Sequence, residues 1–394
     1  MNGSLLNIEV QEFIDKHLKS DITSILLKGT SFPNVETKDI IEQIEAKKKC
    51  EKKLPTWFNT QHIYYPNKLN IEQASSELTA QYKSRLIHGD SIIDLTGGFG
   101  VDCLYFSKHF KAVTHCESDK NLSGIVRHNY KTLNISSILT INSDGIQFLK
   151  ENHSTYDWIY VDPSRRHESK GKVFFLKDCL PNIPESLDLL FKRSKHIMVK
   201  SSPLLDISVG TRELKFVKEI HVVAVENEVK ELLWILEFNY ENEIKITTIN
   251  LKKNKNESFS FKLNEETETE ANYSEPLTYL YEPNATILKS GGFKSVSAQF
   301  KVFKLHSNTH LYTLDQLMDF PGRRFKIDKV LPYSKHILKS ESIHKANITV
   351  RNFPETVAQL RKKFKITEGG ETYLFFTTNF KNEKIILICS KIIK

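Results

Sequence analysis

No apolar run in this chain approaches the ~18 residues that a membrane span requires. Its five cysteines (Cys50, Cys103, Cys116, Cys179, Cys389) are scattered, with no C-x-x-C pair. Neither a zinc site nor a disulfide framework is therefore expected, and reduced thiols fit a cytoplasmic location. The opening residues Met1-Asn2-Gly3-Ser4-Leu5-Leu6-Asn7-Ile8-Glu9 lack a basic segment followed by an apolar core, so no secretory signal is read there. The chain's glycine-rich loop lacks the G-x-G-x-x-G spacing of a dinucleotide fold, and no Gly-Lys-Ser/Thr follows it, which excludes a P-loop.

Charge is present and unevenly placed. From Glu275 to Lys394 there are 20 Lys and Arg against 10 Asp and Glu, net +10, while the rest carries 36 against 38, net −2. A basic module joined to a near-neutral one points to a polyanionic partner, RNA first, or to a surface coloured by a Lys-rich proteome. With 394 residues the chain is long enough for about two to three domains.

In the N-terminal segment, Ile8, Phe13, Ile14, Leu18, Ile22, Ile25 and Leu26 recur at helical spacing, and Asp21 can cap a second short helix. Phe32-Pro33-Asn34-Val35 breaks the pattern, and Thr37 restarts it with Ile40, Ile41 and Ile44 on one side. The run Lys47–Lys53 reads as a solvated helix end or a phosphate contact. Residues 1–70 are expected to form a small helical domain. Residues 71–83 read as one helix leading into the next strand.

The chain is organised around Ser91-Ile92-Ile93-Asp94-Leu95-Thr96-Gly97-Gly98-Phe99-Gly100-Val101-Asp102. A short apolar strand reaches an acid, then a loop with three glycines, then a helical pattern. Such a turn lets backbone approach a nucleotide closely. Its D-x-x-G-G-x-G pattern resembles motif I of class I S-adenosylmethionine-dependent methyltransferases. The resemblance assigns Asp94, Thr96, Gly97, Gly98 and Gly100 to the cofactor, and makes Ser76, Glu77 and Thr79 candidates to cover its methionine end.

Alternating helix and strand patterns follow. Glu117 ends the second strand, 23 residues after Asp94, where an acid accepts from ribose hydroxyls in a nucleotide-binding α/β unit; Asp119 is the runner-up. Asp144 follows the third strand, as an adenine contact by the resemblance or as a helix N-cap. The fourth strand runs into Asp162-Pro163-Ser164-Arg165-Arg166. Many amino-methyltransferases carry Asp/Asn-Pro-Pro-aromatic here, and this chain has Ser164 and Arg165 where Pro and the aromatic would stand. Asp162 and Pro163 are read as the acceptor-orienting pair. Arg165 and Arg166 are assigned to a phosphate or base edge, or to a structural ion-pair network. Lys200 and Ser202, after the fifth strand, border the same place. Residues 220–236 read as a closing hairpin, for seven strands in all.

The C-terminal blocks Pro276–Gly292, Leu305–Tyr312, Phe320–Phe325, Ala346–Pro354 and Gly369–Phe376 are β-rich, with a helix at 355–364. With Asp162–Arg166 and Gln73–Lys83, they resemble one bacterial family, class I methyltransferases carrying a C-terminal THUMP-like domain. That resemblance implies a Rossmann-like seven-stranded methyltransferase sheet over 71–240 and an α+β THUMP-like RNA-binding domain over 241–394. It also implies S-adenosylmethionine as cofactor and structured RNA (tRNA or rRNA) as partner, with a base nitrogen as acceptor. Arg323, Arg324, Arg361, Lys362 and Lys363 are candidates for the RNA face; for Arg361–Lys363 the polar side of a helix is the other reading. A protein or small-molecule acceptor, and an RNA-binding protein without transfer activity, stay open.

Overall fold

The computed structural model describes residues 1–165 and 175–392, without the Arg165 side chain. The chain forms two compact units: Met1–Val217 with Leu233–Glu241, and Lys218–Leu232 with Asn242–Lys394.

The first unit is built on parallel strands β1 (Ser91–Asp94), β2 (Ala112–Cys116), β3 (Ile138–Ile141), β4 (Trp158–Val161) and β5 (His196–Ser201), in the order β3-β2-β1-β4-β5. Ile92, Ile93, Ile159, Tyr160 and Val161 are buried, as the run of apolar residues in a two-sided parallel sheet requires. The order places β1 and β4 side by side, so the chain segments after Asp94 and after Val161 leave the sheet at one edge.

The N-terminal helices are α1 (Ile8–Lys16), α2 (Ile22–Lys28), α3 (Thr37–Lys53), α4 (Pro55–Asn59), α5 (Lys68–Gln73) and α6 (Glu77–Leu86). Asp21 caps α2 by accepting from Thr23 N–H. These helices have no core of their own. Leu5, Ile14, Ile40, Ile44 and Trp57 join Phe99, Phe106, Tyr130 and Tyr160 in one hydrophobic cluster.

Two expectations change. Lys47 is not at a solvated helix end: it is buried and ion-paired to Asp15, while Cys50 beside it is fully buried. Residues 71–83 are not one helix. The chain is extended at Ala74 and restarts at Ser76, whose Oγ accepts from Thr79 N–H. Serine hydroxyls that bond nearby backbone favour such a start over helix interior.

The segment joining α4 to α5 is pinned by two side-chain amides. Asn129 accepts from Tyr64 N–H and donates to Tyr64 O, both at 2.9 Å. Gln43 accepts from Tyr65 N–H at 3.0 Å and donates to Tyr65 O at 2.6 Å. Each amide does for buried backbone what a neighbouring strand would do.

β6 (Val217–Val225) and β7 (Glu228–Glu237), which belong to the second unit from Lys218 to Leu232, turn through Glu226 and Asn227, both at positive φ (47° and 67°), the backbone of a two-residue hairpin. Beyond Val217, β6 pairs in parallel with β8 (Lys245–Leu251), which pairs antiparallel with β9 (Glu257–Lys262). A further sheet has the order β11-β12-β10-β13-β16-β15-β14, from β10 (Tyr279–Pro283), β11 (Phe303–Lys304), β12 (Tyr312–Leu314), β13 (Gly322–Pro332), β14 (Asn347–Val350), β15 (Thr372–Thr378) and β16 (Lys384–Lys391). Most of the 305–312 block is turn, and the strand begins only at Tyr312. The acidic stretch 265–270 is not simply solvated, because Glu266 accepts from Lys294 and Ser295 N–H and so satisfies the start of the helix Phe293–Phe300. Among the described residues, no helix is long and apolar enough to cross a membrane.

Asn129→Leu keeps the volume but leaves the N–H and C=O of Tyr64 unpaired in a buried place. The expected loss is about 2–4 kcal/mol in urea unfolding of the first unit. A loss below about 0.5 kcal/mol would show that these bonds do not hold the segment.

Candidate functional site

The site begins at the carboxyl end of β1. The Asp94 carboxyl is 1% exposed. Its Oδ1 accepts from Thr96 N–H (2.9 Å) and Thr96 Oγ1–H (3.2 Å), and its Oδ2 accepts from the Cys103 thiol (3.3 Å). Thr96 Oγ1 in turn accepts from Asp162 N–H at 2.7 Å. One hydroxyl thus links the ends of β1 and β4. Burial first, then the charges of Asp102 and Asp162, push the Asp94 carboxyl up to about 7, against the bonds from Thr96 and Cys103.

The glycine loop is held from the β2 side. Gly97 N–H donates to Cys116 O at 2.8 Å, and Gly98 N–H donates to Glu117 Oε2 at 3.0 Å. A Cβ on Gly97 would lie 2.3 Å from the His115 ring, so only glycine lets the loop come this close. Gly100 is at φ +80°, and a Cβ there would meet the Tyr130 hydroxyl at 2.2 Å. At Gly98 (φ +54°), by contrast, the nearest atom to such a Cβ is 3.7 Å away. The loop is tight underneath and open at Gly98. His115 is fully buried, and burial holds its imidazole down at about 4, so it is neutral at physiological pH.

Glu117 is half-buried. Its Oε1 also accepts from Asp119 N–H at 2.7 Å. A carboxylate offers about four acceptor positions, so these two backbone bonds orient it and leave capacity for other donors. Asp119 itself is committed as the N-cap of the helix Lys120–Thr132, accepting from Asn121 and Leu122 N–H. Asp144 stands as the exposed N-cap of the helix Gly145–Glu151, accepting from Gln147 N–H at 2.8 Å. Gly145 packs on Leu95: a Cβ there would fall 2.3 Å from Leu95 O.

On β4's side, Asp162 forms an ion pair with Lys200 at 2.5 Å. The register Val161↔Val199 brings their strands' ends together. Pro163 is buried, Ser164 is exposed, and Ser164 and Arg165 bridge Leu180 and Cys179. Arg166, and the side chain of Arg165, lie outside the described residues. Ser202 Oγ accepts from Leu204 N–H in the turn after β5.

Sequence reasoning missed what lies beneath the loop. The Lys83 side chain is wholly buried, with Nζ 3.1 Å from Asp102 Oδ1, and donates to Ser75 Oγ at 2.9 Å. Asp102 Oδ2 accepts from Ser75 Oγ–H and Tyr160 Oη–H, both at 2.8 Å. Asp102 lies two residues past Gly100, and Tyr160 two residues before Asp162, so this network joins α6, the loop and the acceptor strand. The acid after the last glycine was the available signal; nothing marked Lys83. Glu77 accepts from Thr56 N–H, Thr56 Oγ1–H and Tyr105 Oη–H, ties that hold α4 and α6 together. Thr79 is buried.

The C-terminal candidates differ in their commitments. Arg361 donates weakly to Ala346 O and Ile366 O, at 3.4 and 3.5 Å. Lys363 pairs with Glu355 and the Tyr333 hydroxyl. Lys362 is exposed. Arg324 donates to Met318 O, and Arg323 pairs with Glu282. Among the described residues, no group of His, Cys, Asp and Glu is placed to hold a metal.

Comparison with known proteins places these parts. Residues 279–321 match the family described as a ferredoxin-like domain, and residues 322–391 the family described as THUMP domain-like. The crystal structure of a "putative methyltransferase" from Porphyromonas gingivalis W83 is 31% identical and superposes with a TM-score of 0.87, covering 98% of each chain. A protein of Mycoplasma mobile, named as an uncharacterised RNA methyltransferase, is 35% identical over 79 residues. That match takes in 20% of this chain, and the chain spans about a fifth of the length of that curated relative (21%).

Asp94 generates a pH prediction. Its folded value, about 7, lies above the ordinary 3.8, so the folded state holds this proton more tightly than the unfolded chain. Stability from this group is present below about pH 4 and is lost as pH rises through about 7. Asp94→Asn cannot titrate. Between pH 4 and pH 8 the wild type should lose on the order of 4 kcal/mol relative to Asp94→Asn in denaturant unfolding. Parallel pH profiles for the two proteins would contradict the assignment.

Proposed function

The chain belongs to the class I methyltransferases that carry a C-terminal THUMP-like domain, and on that premise we propose that it methylates structured RNA, tRNA or rRNA, on a base nitrogen with S-adenosylmethionine as donor. The observation that carries the reading is the glycine loop. It is tight against His115 and Tyr130, open at Gly98, and flanked by a carboxylate that the backbone of Gly98 and Asp119 has already aimed.

The fit to the cofactor rests on these residues. Gly97, Gly98 and Gly100 give backbone that a ligand can approach closely. Glu117 keeps acceptor capacity suited to two ribose hydroxyls. Asp144 borders the third strand, with one oxygen committed to its cap and the other suited to an amino donor. Asp94 and Thr96 set the loop's origin rather than its rim, because Asp94 is buried beneath it. S-adenosylmethionine, when bound, supplies a methyl group on a sulfonium centre.

The chain's own part in transfer is alignment. A base amino nitrogen needs little general-base help, and its lone pair must be held in line with the methyl group. Asp162 suits this: Lys200 holds Oδ2, and Oδ1, which has no hydrogen bond among the described residues, is suited to accept from the amine. The backbone of Asp162 is tied to the loop through Thr96, so acceptor and cofactor sides share one anchor. Pro163 stiffens the turn, and Arg165 and Arg166 follow as candidate contacts to phosphate or base. Ser202 lies beside Lys200 at the same edge. The basic C-terminal segment, similar to THUMP modules that bind RNA, supports RNA as the acceptor class.

The test is transfer of labelled methyl from S-adenosylmethionine to total RNA from a strain lacking the gene, with the RNA then fractionated by size. Label concentrated in one RNA class is the expected result; cofactor binding without label in any RNA overturns the acceptor reading. Asp162→Ala should lower the transfer rate on the order of 100-fold, with cofactor affinity within about twofold. A fully active variant would remove Asp162 from the alignment. RNA binding should also weaken steeply with salt, as release of counterions from phosphates demands.

A further inference from the structure

In the second unit one carboxylate is buried against two arginines. Glu282, on β10, is 2% exposed. Its Oε2 accepts from Arg323 Nε at 2.6 Å, and its Oε1 accepts from Arg351 Nη2 at 2.8 Å. Arg323 is the cross-strand partner of Glu282 in the β10–β13 register, and Arg351 directly follows β14. The two arginine side chains remain 41% and 35% exposed.

The charges do not cancel. Two guanidiniums on one carboxylate leave a net positive charge, and ten guanidinium N–H bonds face about four acceptor positions. Arg351 Nη1 takes Val350 O at 3.2 Å, while Arg351 Nε is buried with no hydrogen-bond partner among the described residues. Of the nearby groups, Lys304 adds positive charge, and Glu266 acts on Lys304 in the opposite sense. Lys304 is 3% exposed and donates to Ser307 O. Burial, then Lys304, then Arg351 hold the His310 imidazole down at about 4. The cluster is short of acceptors and of negative charge, and its guanidinium forks are fixed in place before any ligand arrives.

We propose that Arg323 and Arg351, braced on the buried carboxylate of Glu282, form a phosphate-binding site that grips a backbone phosphate of the RNA. The geometry also separates these arginines from Arg361 and Lys363. Arg361 spends donors on the carbonyls of Ala346 and Ile366, and Lys363 is paired with Glu355. The choice of RNA as the source of the phosphate rests on the function proposed above; the phosphate chemistry does not.

The experiment uses the full chain as wild type, Arg351→Gln, Arg351→Lys and Arg361→Gln, with labelled total tRNA titrated at several salt concentrations. Arg351→Gln leaves Glu282 paired with Arg323, and Arg351→Lys keeps the charge without the fork. Arg351→Gln should weaken binding about tenfold and lower the salt slope by about one. Arg351→Lys should fall between it and the wild type, and Arg361→Gln should stay within about twofold of the wild type. An unchanged Arg351→Gln, or equal losses in Arg351→Gln and Arg361→Gln, overturns the site. A second arm follows the Arg351 Nε–H resonance while inorganic phosphate is added. If that resonance moves but the wild type binds no RNA, the site stands as one for free phosphate and the RNA reading alone fails. If it does not move and no RNA binds, the proposal fails.

Discussion

Everything in the first unit depends on how closely the Thr96–Gly100 loop can lie against β2. Gly97 sits where any side chain would strike the buried His115 ring, and Gly97 N–H reaches Cys116 O. That contact brings Gly98 N–H within reach of Glu117, whose second oxygen is fixed by Asp119 N–H. Loop and acid orient each other. A neutral imidazole is the right neighbour for this place, because burial disfavours its charged form and His115 Nδ1 has no hydrogen-bond partner among the described residues.

The same economy ties the loop to the acceptor strand. Thr96 Oγ1 donates to Asp94 and accepts from Asp162 N–H. Below it, Lys83, Ser75, Asp102 and Tyr160 form a buried polar network that reaches from α6 to β4. Such a network joins the elements it spans, which suits a site whose two halves must keep register. The N-terminal helices are part of this structure rather than an appendage, since Trp57 and Phe99 pack in one cluster with rings 5.9 Å apart. The amides of Gln43 and Asn129 fix the strand-like segment between them.

How much of this could be read beforehand follows from range of interaction. The strand–loop–helix of 91–102 and the acid at Glu117 are written in local pattern, and the methyltransferase family with its THUMP-like end was legible from them and from the C-terminal blocks. The short helix capped by Asp21 is local too. What was not legible is long-range. Lys83 sits in a helix that looks polar, and only the fold places Asp102 beside it. Lys47 looks like part of a solvated run, and only α1 supplies Asp15. The break at Ala74–Ser75 went unseen because two serines are compatible with helix until one of them finds a cap. In the C-terminal segment the basic residues were visible, but their ranking was not: it depends on which carboxylates and carbonyls already hold them.

The central claim is that the loop and Glu117 form a cradle for S-adenosylmethionine. Calorimetric titration of the wild type and Glu117→Ala with S-adenosylhomocysteine tests it most directly. The account predicts saturable binding by the wild type and at least about tenfold weaker binding by Glu117→Ala, the loss of a charged hydrogen-bond acceptor. Equal affinities would contradict the ribose assignment, and no binding by a folded wild type would contradict the cradle itself.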